Sequence, residues 1–197
     1  MAAEFPAELV VMALPIESQG VFERAGISVL FTGIGKVNAA YALTRRLADY
    51  RHAGVALPAV INFGTAGSRC FATGTLVECH AFVQRDMDVT GLGIPLGVTP
   101  FEELPMRLEF PARFPHLAQG VCGSGDSFAM APSGLECEVL DMEAYALAKV
   151  CWLERVRFTA VKYVTDGADD ASGADWQSNL PRAAELFLKA YRQLTGG

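Results

Sequence analysis

What most constrains this chain is a regular alternation of short, β-rich apolar runs with stretches patterned for helix, sustained from end to end. Residues 9–14 (LVVMAL) predict a buried strand ended by Pro15, and 28–31 a second, followed by the glycine pair Gly33 and Gly35. Residues 37–50 carry helix formers, with Val37, Tyr41, Leu43 and Leu47 as apolar positions. A third strand, 59–63, is closed by a turn over 64–67; residues 76–83, 119–122 and 136–140 supply three more. Residues 142–153 are apolar almost all round, which predicts a buried helix. Residues 158–164 form a late strand and 175–194 a closing amphipathic helix, while the Pro-rich stretch 95–115 is the least regular part, a surface excursion. Strands alternating with helices imply a sheet covered on both faces. The fold class is therefore α/β: a single three-layer domain over residues 1–197, with a central mixed, largely parallel sheet flanked by helices.

Composition then removes whole classes of function. A net charge of -6 lacks the basic face that nucleic-acid phosphates require. The apolar runs are strand-sized, too short for a membrane span, and the start (MAAEFPAELVV) has neither basic region nor apolar signal core, which predicts a cytoplasmic protein. The 5 cysteines form no C-x-x-C pair and read as reduced, small buried hydrophobes. His52, His80 and His116 fall in no recognisable motif, and no His/Cys/Asp cluster has ligand spacing, so neither metal nor cofactor is expected. Chemistry is left to carboxylates, lysine, arginine and backbone groups.

Ligands of α/β sheets bind beyond the carboxyl ends of the strands. Three acids fall at such places: Glu17 past the first strand, Glu143 at the start of the helix after 136–140, and Asp166 at the end of 158–164. Each also has a plain structural reading. Glu17 serves equally as a solvated turn residue, Asp141 and Glu143 as a helix start whose acids satisfy free N–H groups, and Asp166 as the opening of an Asp-Gly turn.

Five segments occur in order that together are specific: Gly33-Ile34-Gly35-Lys36-Val37-Asn38-Ala39-Ala40, Asn62-Phe63-Gly64-Thr65-Ala66-Gly67, Gly123-Ser124-Gly125-Asp126-Ser127-Phe128, Asp141-Met142-Glu143-Ala144 and Thr165-Asp166-Gly167-Ala168-Asp169. In these the chain resembles the bacterial 5′-methylthioadenosine/S-adenosylhomocysteine nucleosidases of the purine nucleoside phosphorylase superfamily, over nearly its whole length. The resemblance implies Glu17 as the general base that activates water and Asp166 as the general acid that protonates the purine at N7. It places Met142 and Glu143 on the ribose, Phe128 against the base, and the backbone of Ala129 at the base edge. It sets Thr65 in the glycine segment facing the sugar, and Ile34 and Trp176 around an apolar 5′ pocket. It also implies a homodimer in which the stretch 88–92 of a neighbouring subunit closes that pocket.

The chemistry accords with these roles. Cleavage leaves an oxocarbenium-like sugar and an anionic purine, so an acid on one side and a base with its water on the other lower the barrier, as in inverting glycoside hydrolysis. Asp166 then has to be protonated, and Glu143, at a helix N-terminus, is expected to stay ionised. The chain also departs from the family pattern. Only 15 residues separate Glu17 from Gly33, the helix usual between Phe128 and Asp141 is missing, and Lys162 stands where the nucleosidases generally have an arginine near the water. A phosphorylase is the nearest rival, yet Asn62 occupies a position where phosphorylases often carry an arginine for phosphate; Arg69, just after the glycine segment, keeps that alternative open. A futalosine-type hydrolase and a catalytically inactive nucleoside-binding or storage protein are the remaining alternatives.

Overall fold

The computed structural model describes residues 5–127, 134–166 and 172–196, with the backbone alone for 166 and 172–178. Eight strands share one sheet: β1 (Glu8–Met12), β2 (Val29–Phe31), β3 (Ala59–Gly67), β4 (Leu76–Gln84), β5 (Arg107–Glu109), β6 (Ala118–Ser124), β7 (Val139–Asp141) and β8 (Phe158–Asp166). The longer helices are α3 (Lys36–His52), α4 (Ala144–Glu154) and α5 (Ser172–Thr195). Two single-turn helices, α1 (Pro15–Ser18) and α2 (Val21–Arg24), fill the short connection between the parallel strands β1 and β2. The expected excursion at 95–115 contains only β5, which pairs antiparallel with β4.

The sheet is mixed and carries one departure from a simple open sheet. β3 pairs in parallel with β1 and β8, β4 with β6, and β6 with β7. β8 also runs antiparallel to β4, and β7 returns antiparallel to the end of β3 at Gly67, so β3, β8, β4, β6 and β7 close into a ring. β2 and β1 extend from β3, and β5 from β4.

β3 explains why the faces are distinct. Side chains alternate across a strand, so Val60 and Ala66 enter the core built with α3 and α4, whereas Ile61 and Phe63 enter the core built with α2 and α5. In the second core the Phe63 ring stacks obliquely on Phe187 and Phe22, at centroid distances of 5.3 and 5.7 Å. Burial on both faces is what makes β3 and β8 predominantly apolar, with Asn62, Thr159, Lys162 and Thr165 as buried polar exceptions.

Two local expectations are corrected. Residues 64–67 are not a turn but the second half of β3, hydrogen-bonded to β8 through to Asp166, with a register shift at Ala66/Gly67. In α3 the buried positions are Ala39, Leu43, Leu47 and Tyr50; Val37 and Tyr41 face outward at 77% and 63% exposure. Aliphatic Leu43 and Leu47 fix the inward face, and Val37 and Tyr41 lie off it.

Candidate active site

The strand ends carry the candidate residues into one crevice. After β1, Pro15 opens α1 at its first position, where its missing N–H costs nothing. Glu17 then turns back, with Oε2 accepting from the backbone N–H groups of Ala13 (3.0 Å) and Leu14 (3.1 Å). Its Oε1 accepts from the N–H of Thr65 at 3.0 Å and from Thr65 Oγ1 at 3.1 Å. With four donors and 4% exposure, Glu17 is not a solvated turn residue but a carboxylate fixed between β1 and β3.

Gly64, beside Thr65, is where two charges approach each other. A Cβ there would lie 3.1 Å from Lys162 Nζ and 3.5 Å from Glu17 Oε1. Lys162, on β8, is 1% exposed and pairs with Asp141 Oδ2 at 2.7 Å. Asp141 ends β7; the same Oδ2 accepts from the Ala144 N–H at 2.9 Å, and Oδ1 accepts from Ser124 Oγ at 2.5 Å. Ser124, at the end of β6, accepts in turn from the Tyr145 N–H at 2.8 Å. Burial by itself would raise Asp141, but the charge and hydrogen bond of Lys162 hold its carboxyl below the usual range. Burial likewise opposes the Lys162 ammonium, and Asp141 above all outweighs it, keeping the lysine above its ordinary value. A buried lysine requires such a partner. Sequence reasoning took Asp141 only as a helix-start acid; it fills that role through Ala144 and the ion-pair role together. The one signal in the sequence was a lysine inside an apolar strand, which demands a counter-ion without saying which acid supplies it.

Glu143 occupies the N-cap position of α4, but its carboxylate does not cap that helix. Oε1 accepts instead from the N–H of Gly35, 2.8 Å away at the start of α3. Gly35 adopts φ of 92°, which favours glycine, and this turn aims its N–H into the crevice. Burial first, then the charge of Asp141, raise Glu143 from 4.5 to about 7, against the opposing pull of Lys162. The helix N-terminus therefore does not keep Glu143 an ordinary ionised carboxylate as expected: its carboxyl is pushed up to about 7. Met142 is half-buried on the same link, and Ile34, next to Gly35, is 50% exposed at the rim.

The backbone of Asp166 closes β8 opposite Gly67 of β3, and the preceding Thr165 carbonyl accepts from Asn179 Nδ2 of α5 at 3.2 Å. The side chains of Asp166 and Trp176 lie outside the described residues, as do Phe128 and Ala129. The segment leading to them is held by Arg85, whose guanidinium donates to Ser127 Oγ at 3.1 Å and to the Gly125 carbonyl at 3.2 Å. Asn62, on β3, is buried and donates to the carbonyls of Val11 at 3.1 Å and Phe63 at 3.3 Å. Among the described residues no group of three His, Cys, Asp or Glu is placed to hold a metal ion, and no helix is long and apolar enough to cross a membrane.

The strand ends thus bring Glu17, the partly buried Glu143 and the charge-paired Lys162 into one crevice of an α/β fold. Residues 18–195 match the model of the phosphorylase superfamily. The 5′-methylthioadenosine/S-adenosylhomocysteine nucleosidase of Marinomonas sp. is 31% identical, over 90% of this chain and 84% of the relative. That of Anoxybacillus flavithermus is 31% identical over 84% and 78%. Among solved structures, the Helicobacter pylori nucleosidase of the same description superposes with a TM-score of 0.83 at 22% identity, covering 96% of this chain and 97% of that one. The futalosine hydrolase of Helicobacter pylori gives 0.82 at 22% identity, with the same coverage. This chain belongs to the phosphorylase superfamily, where it groups with the 5′-methylthioadenosine/S-adenosylhomocysteine nucleosidases.

Proposed function

We propose that this protein hydrolyses the N-glycosidic bond of a purine nucleoside, 5′-methylthioadenosine, S-adenosylhomocysteine or a close relative, with water as the acceptor. The observation that carries this reading is Glu17: a buried carboxylate, immobilised by four donors, in the crevice that also holds Glu143 and the β8 end bearing Asp166. Glu17 acts as the general base on water, oriented by Thr65. Asp166 protonates the departing purine, Glu143 and Met142 hold the ribose, Phe128 stacks on the base and the Ala129 backbone reads its edge. Ile34 and Trp176 line the 5′ pocket. Lys162 contributes a fixed positive charge beneath the sugar.

Charge favours water over phosphate. A phosphate dianion entering here meets the carboxylates of Glu17 and Glu143, while the nearby lysine is already neutralised by Asp141. The Asn62 amide is spent on two backbone carbonyls and offers no cation. We read residues 1–197 as one functional unit, cytoplasmic and homodimeric. Ile34, just before α3, and Val37 and Tyr41 on one edge of α3 are 50, 77 and 63% exposed beside the site, and Leu92 is 73% exposed. A two-fold contact is the commonest closed symmetry, and it would cover these apolar side chains and shut the 5′ pocket.

The test is incubation with 5′-methylthioadenosine, S-adenosylhomocysteine, adenosine, inosine and futalosine, with and without phosphate, following free base and sugar. Free base and unphosphorylated sugar without added phosphate are expected. Sugar 1-phosphate formed only with phosphate would establish a phosphorylase, and binding without turnover a storage protein. Asp166→Asn should lower kcat by about 10²-fold or more while leaving KM close to native, because asparagine keeps the size but delivers no proton.

A further inference from the structure

Asp141 has no role of its own in the chemistry above beyond neutralising Lys162, yet the pair is among the most completely buried charged groups described, each side chain 1% exposed. Lys162 has three acids around it: Asp141 from β7, Glu17 from α1 and Glu143 at the head of α4. Lys162 Nζ and Glu17 Oε1 both border the space above Gly64, but the lysine pairs with Asp141. Glu17 is already taken up by its four donors, whereas Asp141 keeps an acceptor position for the lysine while Ser124 Oγ and the Ala144 N–H fix its orientation from β6 and α4.

We propose that Asp141 is a positioning residue for sugar recognition: it fixes the Lys162 ammonium between Glu17 and Glu143, so that the lysine serves both carboxylates as a counter-charge without closing on either. This rests on the reading of Glu143 as the ribose acceptor. With Asp141 neutral, the lysine turns to Glu143 or Glu17, occupies acceptor positions meant for the sugar hydroxyls or the water, and favours their ionised forms. With the lysine neutral, Asp141 and Glu17 repel Glu143 without compensation and favour its protonated form. The two halves of one ion pair thus act on Glu143 in opposite directions. A pair that only braces the fold has no such signature.

The groups that face Glu143 are Asp141, Lys162 and Glu17, together with the Gly35 N–H from the start of α3. The experiment measures, from pH 5 to 9 (roughly, the range that spans a carboxylate raised toward neutrality), the affinity for an adenosine C-nucleoside, whose carbon–carbon link to the base cannot be hydrolysed. The proteins are wild type, Asp141→Asn, Lys162→Met, Lys162→Arg and the double variant Asp141→Asn/Lys162→Met. The acid limb of binding should move down in Asp141→Asn and up in Lys162→Met, each by about one pH unit, and stay in place in Lys162→Arg, which keeps the charge. The double variant removes both charges of the pair, so it should fold even where a single variant, which leaves one of them without its partner, does not; its limb should lie between the two. Limbs that move together, or stay fixed in all variants while only thermal stability falls, would overturn the proposal. A wild type that binds the C-nucleoside at no pH would overturn the nucleoside reading, and this proposal with it. Binding with unmoved limbs would overturn the proposal alone.

Discussion

Glu143 combines a functional position with an energetic cost. Its carboxyl titrates at about 7 in the folded chain against an ordinary 4.5, because burial and Asp141 disfavour the anion. The folded state therefore holds its proton more tightly than the unfolded state. Stability from this group is intact below about pH 4.5, declines as pH rises, and is fully lost above 7. The shift corresponds to about 3 kcal/mol at most. Glu143→Gln removes the penalty while its amide oxygen can still accept from Gly35, so at pH 8 the variant should be about 1–3 kcal/mol more stable than wild type. The same variant should bind nucleosides more weakly, since a neutral amide is a poorer acceptor for ribose hydroxyls. Denaturant melts at pH 5 and pH 8 separate the effects: the gain should be present at the higher pH and shrink toward the lower. An equal gain at both would mean that Glu143 is not raised. Glu17 differs, being satisfied by four donors. Glu17→Gln turns an amide N–H₂ against N–H groups, and kcat should fall by about 10²-fold or more, with some loss of stability.

At the scale of the element, β3 carries the most information and was the least legible past its middle. Its first half, Ala59–Phe63, is a run of apolar and β-branched residues that reads as strand without difficulty. Gly64-Thr65-Ala66-Gly67 reads as a turn because glycine is the commonest punctuator of chains. It is strand because pairing with β8 on one side and with β7 at Gly67 holds it extended, and sheet context overrides local preference. Gly64 leaves room for the lysine, since a Cβ there would crowd Lys162 Nζ at 3.1 Å and touch Glu17 Oε1 at 3.5 Å. Gly64→Ala should thus lower kcat by about tenfold to a hundredfold through displaced charges, with a stability cost of about 1–3 kcal/mol for overpacking. Native activity in this variant would show that the two charges need not meet here. The carboxylates at strand ends were legible because their positions follow from the order of elements alone. The Asp141–Lys162 pair was not, because β7 and β8 are not neighbours in the sheet; both flank β3, and only the closed ring brings their ends together. The inward face of α3 was half legible: Leu43 and Leu47 belong to it, whereas Val37 and Tyr41 lie on the edge that the fold leaves in solvent.

That edge sets the expectation for the whole molecule. Val37, Tyr41 and Leu92 lie apart from the buried apolar clusters that stabilise the chain, so changing them should leave the fold intact. If they form the contact with a second copy, Val37→Asp combined with Tyr41→Lys places charges in an apolar interface and should yield a monomer by sedimentation velocity at micromolar concentration. The consequence for activity is selective. On the proposed reading, ribose and base are held within one chain by Glu143 and Phe128, but the 5′ pocket near Ile34 then opens to water. Burial of a CH₂-sized group is worth about 0.8 kcal/mol, so a 5′-methylthio group that loses its cover should bind about tenfold more weakly. Adenosine, whose 5′-hydroxyl tolerates water, should change much less. The ratio of kcat/KM for 5′-methylthioadenosine over adenosine is therefore the decisive quantity, because general damage to the fold lowers both together. A monomer with an unchanged ratio would place the closure of the pocket within a single chain, and a variant that remains dimeric would move the interface away from α3.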